Sequence, residues 1–92
     1  MTDTLLDVYY KRSKLILAMI HQYNVDRFNA GKVNEVSDSA IRFRKVLDKT
    51  FSEKDLRGMK LMYKDFLQVS KCLSKEKREE LKRFMKETEI HT

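Results

Sequence analysis

Proline is missing from this chain altogether, and glycine occurs only at positions 31 and 58. Both are residues that break or end regular backbone, so their scarcity leaves long helices unopposed. No stretch alternates apolar and polar residues for long enough to argue a strand. The single cysteine, Cys72, excludes an intrachain disulfide and any cysteine-based metal cluster, and fits a reducing, intracellular location. Long apolar runs are lacking too. The longest covers residues 15–20, far short of the ~20 residues a membrane span needs. The first ten residues, MTDTLLDVYY, are acidic where a secretory signal would be basic, so the expected location is cytoplasmic.

What the chain has in quantity is charge. Charged residues make up 37% of its 92 positions, and the net charge is +6. Such a balance raises nucleic acid as a partner, so its distribution matters. From the N-terminus, residues 1–31, 32–50, 51–73 and 74–92 carry net charges of +1, +2, +2 and +1. No basic tail or block stands out, which weakens that reading without removing it.

Residues 5–23, LLDVYYKRSKLILAMIHQY, organise the rest. At about 100° per residue, Leu5, Val8, Tyr9, Leu15, Ile16, Met19, Ile20 and Tyr23 share one sector, which Leu6, Tyr10 and Leu17 widen to roughly 220°. That arc exceeds the stripe of a helix lying on one core, so this helix wants neighbours on two sides. Thr2 or Asp3 is placed to cap its start, and Asn29-Ala30-Gly31 to end it, giving a helix over residues 3–28.

Three shorter helices follow. A second is expected over 37–50, with Ser37 as N-cap, Val36 stapled on Ile41, and Val36, Ala40, Phe43 and Leu47 as its buried stripe. FSEKDL at 51–56 resembles a capping box, with Ser52 as cap, Asp55 as its reciprocal partner and Phe51 against Leu56. It should open a third helix over 53–73, buried through Leu56, Met59, Met62, Tyr63, Phe66, Leu67, Val69 and Leu73. Ser74 can cap a fourth, over 75–88, which is mostly charge and whose core contacts are Leu81, Phe84 and Met85. Pairs Glu79–Arg83 and Arg83–Glu87 should support it, and its outer end should fray. The expected fold is all-α: one domain over 1–92, a small antiparallel bundle of three to four helices around a long N-terminal helix.

Catalytic and metal-binding patterns are not found. His21 and His91 sit on different segments, Cys72 has no histidine near it in sequence, and no glycine-rich loop, paired cysteine or HExxH motif is present. The chain is therefore read as non-enzymatic, with no cofactor, no metal and no membrane span.

Two binding candidates remain. Leu6, Tyr10 and Leu17 lie at the margin of the first helix's apolar arc, where the other helices offer too little apolar surface to cover them. They are the candidate protein interface, for another protein or for a second copy of the chain in a homodimer. Arg57, Lys60, Lys64 and Lys71 form a basic ridge on the third helix, spanning about 60°. The leading expectation is a protein-binding regulator or inhibitor acting through helix faces. Short helical proteins carried by phages and other mobile elements act in this way, an analogy only. The alternative is a small DNA- or RNA-binding protein that uses the ridge.

Overall fold

The structure is a computed structural model and describes residues 4–88. Among these residues it contains four α-helices, one 3-10 turn and no strand. The helices are α1 (Leu5–Asn29), α2 (Ser39–Ser52), α3 (Leu56–Val69) and α4 (Lys75–Glu87), with the turn Ser70–Cys72 between α3 and α4. They form the expected all-α bundle, and α1 packs against each of the other three.

Thr4 caps α1. Its hydroxyl accepts from the Asp7 amide at 3.2 Å while the Asp7 carboxylate accepts from the Thr4 amide at 3.2 Å, a reciprocal box. Thr2 and Asp3, the caps expected from sequence, lie outside the described residues. At the other end Gly31, at φ +73°, closes a Schellman turn: its amide reaches the Phe28 carbonyl and that of Lys32 reaches Arg27.

The boundaries of α2 and α3 differ from expectation, each for a local reason. Asp38, not Ser37, stands at the cap position of α2 and makes no side-chain cap bond. Ser37 accepts from the amide of the first helical residue, Ser39, and Val36 and Ile41 both remain exposed, so no staple seals this end. α2 then runs on to Ser52, whose hydroxyl donates back to the Lys49 carbonyl at 2.8 Å, and so Ser52 caps nothing. Lys54 ends the helix in the left-handed region, at φ +56°. Its amide donates to Phe51 and that of Asp55 to Thr50, a second Schellman turn without the usual glycine. Asp55 is the true cap of α3, accepting from the Gly58 amide at 2.9 Å. A Cβ at position 58 would meet that carboxylate, which accounts for glycine at this otherwise helical site.

α3 and α4 are separate helices. Ser70 donates to the Leu67 carbonyl at 2.6 Å, drawing the last turn into 3-10 form. Leu73 is extended and buried, and Ser74 caps α4 by accepting from Lys77.

The core joins Ile16, Leu17, Met19 and Ile20 to Ala40, Leu47, Met59, Tyr63, Phe66, Leu73 and Leu81. Ile16, Leu47 and Met59 are fully enclosed, so truncating any of them to alanine should cost about 2–5 kcal/mol. The wide apolar arc of α1 is thus covered from two sides, by α2 and by α3.

Candidate functional site

Of Leu6, Tyr10 and Leu17, the candidate protein interface, Tyr10 and Leu17 face α2 within the same chain. Leu17 is 4% exposed and belongs to the core, while Leu6 and Tyr10 are half-buried against it. The Tyr10 ring stacks on Phe51 with centroids 4.0 Å apart, and its hydroxyl donates to Asp48 at 2.6 Å. Arg44 donates to the same carboxylate oxygen at 2.9 Å, and the Lys14 ammonium lies 4.4 Å from the ring centroid. The two bonds hold the Asp48 carboxyl below its usual range, and the bond to Asp48 pushes the Tyr10 phenol up. At Tyr10 and Leu17 the surface assigned to a second chain is occupied by α2. The apolar residues left exposed are elsewhere, notably Ile41, Phe43 and Val46 of α2 at 49%, 51% and 52%.

The basic ridge is open to solvent, and the structure divides and extends it. Arg57, Lys60 and Lys64 stand at i, i+3 and i+7 of α3, flanking the buried face of Met59, Tyr63 and Phe66. Together with Tyr9 of α1 they wall a groove of about 510 Å³ whose apolar lining is Leu61, Tyr63 and Leu67. Lys71 does not continue that row, because it lies on the 3-10 turn and lines a second groove, of about 480 Å³. There it is joined by Lys75, Arg78 and Lys82 of α4, over a lining of Leu67, Leu81 and Met85. Leu67 lines both grooves, so the two are neighbours on the surface.

Seven cationic side chains therefore line these two neighbouring grooves, against one lining carboxylate, Glu79. None of the seven has an ion-pair partner among the described residues. On α2, by contrast, Arg42, Arg44 and Lys49 each hold a carboxylate. The chain matches no known protein family, no curated protein and no solved structure. The reading of this site therefore rests on its geometry and charge.

Lys75, Arg78 and Lys82 were not singled out from the sequence, yet they repeat the i, i+3, i+7 spacing of Arg57, Lys60 and Lys64. That repeat was the available signal. What it lacked was the turn at Ser70–Cys72 between α3 and α4, whose Lys71 joins Lys75, Arg78 and Lys82 along one groove.

Where α4 sits depends on α1. The Arg12 guanidinium donates to the Met85 carbonyl at 2.8 Å, the Thr88 carbonyl at 2.9 Å and the Thr88 hydroxyl at 3.0 Å. Tyr63, of the first groove, and Met85, of the second, meet through the Tyr63 hydroxyl and the Met85 sulfur at 3.7 Å. Burial pushes the Tyr63 phenol up, while the Arg12 charge opposes that shift. In α4 the formed ion pair is Lys77–Glu80, in place of Glu79–Arg83 and Arg83–Glu87.

The other chemistry-bearing residues stay apart. Cys72 is exposed, His21 is half-buried beside α2, and His91 lies outside the described residues. No group of histidine, cysteine or carboxylate side chains among the described residues could hold a metal ion. No helix among them is long and apolar enough to cross a membrane.

Proposed function

We propose that this protein is a non-enzymatic nucleic-acid-binding protein whose contact surface is the double groove of α3 and α4. The observation that carries the reading is the set of seven cations, Arg57, Lys60, Lys64, Lys71, Lys75, Arg78 and Lys82, none with an ion-pair partner among the described residues, along two neighbouring grooves lined by a single carboxylate. Bases that serve only solubility gain from being interspersed with acids, as they are on α2. A single-sign row at helical spacing instead matches a ligand whose negative charge repeats along its length. Occupying a nucleic acid in this way would suit a regulator, and it calls for no catalytic group.

Salt dependence tests this directly. Each phosphate contact releases a counterion, so affinity should fall steeply and linearly on a log–log plot against salt. Lys60→Glu with Lys64→Glu should abolish most binding at ~50 mM salt, where such contacts are strongest, while leaving the melting temperature nearly unchanged. Lys75→Glu with Arg78→Glu should do the same. A wild-type protein that retains neither DNA nor RNA at that salt refutes the reading.

A second reading, that the chain regulates or inhibits another protein or pairs with itself, is favoured by α2. Ile41, Phe43 and Val46 are apolar and about half exposed there. Light scattering of the pure protein, before and after Phe43→Ser with Val46→Ser, tests self-association through this helix.

A further inference from the structure

We infer that the ligand of the double groove is a single-stranded nucleic acid, bound with its bases against the groove floor and its phosphates on the cationic walls. This rests on the nucleic-acid reading above and narrows it. The floors are the first reason. Leu61 and Leu67 with the Tyr9 ring in one groove, and Leu81 with Met85 in the other, are apolar surfaces set between the cations. A duplex hides its base faces in its own stack and offers mainly phosphates to a cationic surface, which leaves such floors unused. A single strand offers an apolar or π face with every nucleotide, and grooves that combine cations with aromatic or apolar platforms suit it. Both grooves are open, at about 510 and 480 Å³, and leave room for a planar group to lie against the floor.

The approach to α3 is the second reason. A helix that reads duplex DNA leads with its N-terminal residues into the major groove. Here that end is capped by Asp55, whose carboxylate is committed to the Gly58 amide, and is preceded by Glu53, which ends α2 and pairs with Lys49. Phosphates on either side of a major groove would meet those charges first. Lys60, Lys64 and the α4 cations lie further along, where a flexible strand reaches them without passing the acids.

The test uses the full chain and labelled oligonucleotides of about 12 nucleotides, within the usual site sizes, as single-stranded DNA, single-stranded RNA and a duplex of the same sequence. Fluorescence anisotropy at matched salt should show at least one single strand bound tenfold or more tighter than the duplex. Leu61→Ser changes a side chain that is 57% exposed, so the fold should tolerate it. It should lower single-strand affinity several-fold without changing the salt slope, because it removes platform and not charge. Tyr9→Leu should act likewise and should also remove ligand-induced quenching of tyrosine fluorescence. Equal or tighter duplex binding, or single-strand affinity indifferent to both substitutions, overturns this inference and leaves the broader reading intact. Failure of all three oligonucleotides to bind overturns both.

Discussion

Arg12 and Thr88 are 76 positions apart, and the guanidinium of one closes the helix that the other ends. Arg12 binds both the carbonyl and the hydroxyl of Thr88, and the Thr88 hydroxyl in turn donates to the Phe84 carbonyl at 2.9 Å. The final carbonyls of a helix have no partner of their own and carry partial negative charge, so a cation there satisfies both needs. The end of α4 expected to fray is thereby tied to the central helix. Because α4 supplies Lys75, Arg78 and Lys82, Arg12 is also a positioning residue for the second of the two cationic grooves.

Arg12→Ala should cost about 2 kcal/mol, the scale of charged hydrogen bonds at a half-buried site. For a domain of this size that lowers the melting temperature by roughly 10 °C. Arg12→Lys should recover only part of it, since an ammonium lacks the planar fork whose Nη2 reaches the two carbonyls while Nε reaches the Thr88 hydroxyl. Hydrogen exchange should quicken in α4 before it does in α2. Uniform exchange across the chain would show that Arg12 does not anchor α4 specifically.

The Tyr10–Asp48 bond should be visible in the pH dependence of stability. Asp48 titrates below its unfolded value, so its contribution is present above about pH 4 and is lost as pH falls through the folded value. Tyr10 titrates above its unfolded value, so its contribution is present below about pH 10 and is lost as pH rises through the folded value. Melting curves of Asp48→Asn should show a shallower acid decline than wild type, and those of Tyr10→Phe a shallower alkaline one. Profiles that superimpose on wild type at both ends would remove this bond from the account.

Two Schellman turns that differ in one residue predict opposite responses to substitution. Gly31→Ala should destabilise by about 1 kcal/mol, because φ +73° strains any side chain although the space around it is open. Lys54→Gly should stabilise by about 0.5–1 kcal/mol, since it relieves the same strain at φ +56° against some added freedom in the unfolded chain. Denaturant midpoints read both. A destabilised Lys54→Gly would mean that its side chain does more than end the helix.

Ser13 is fully buried, and its hydroxyl has no hydrogen-bond partner among the described residues. Ser13→Ala keeps the volume nearly constant and removes that orphaned group, so it should raise stability by about 1 kcal/mol. A lower melting point would point to an unseen partner for the hydroxyl, such as a bound water.

Much of the fold was written in local spacing. The 220° arc of residues 5–23 required partners on two sides, and α2 and α3 are those partners. Gly31, Ser74 and the apolar rows at Met59, Tyr63 and Phe66 each acted as their types dictate. Capping depends on few atoms close in sequence, which is why these signals read correctly. Where two adjacent caps competed, at Ser52 and Asp55, the sequence held both options, and the left-handed turn at Lys54 chose between them.

The site was a matter of tertiary placement. Sequence alone determined that 75, 78 and 82 repeat the spacing of 57, 60 and 64, and that Tyr10 and Leu17 lie on the margin of an apolar arc. It did not determine which margin would be covered, because a helix states only its own faces and not the rotation at which a neighbour docks. Packing placed α2 over Tyr10 and Leu17, enclosing the face that had looked free. The 3-10 turn separates α4 from α3 and the Arg12 clamp ties α4 to α1, so that two unremarkable rows of charge line neighbouring grooves that share Leu67. Electrostatic repulsion within such a groove opposes the fold. Burial elsewhere, through Leu73, Leu81 and the core of α1, together with the Arg12 clamp, holds those cations in place.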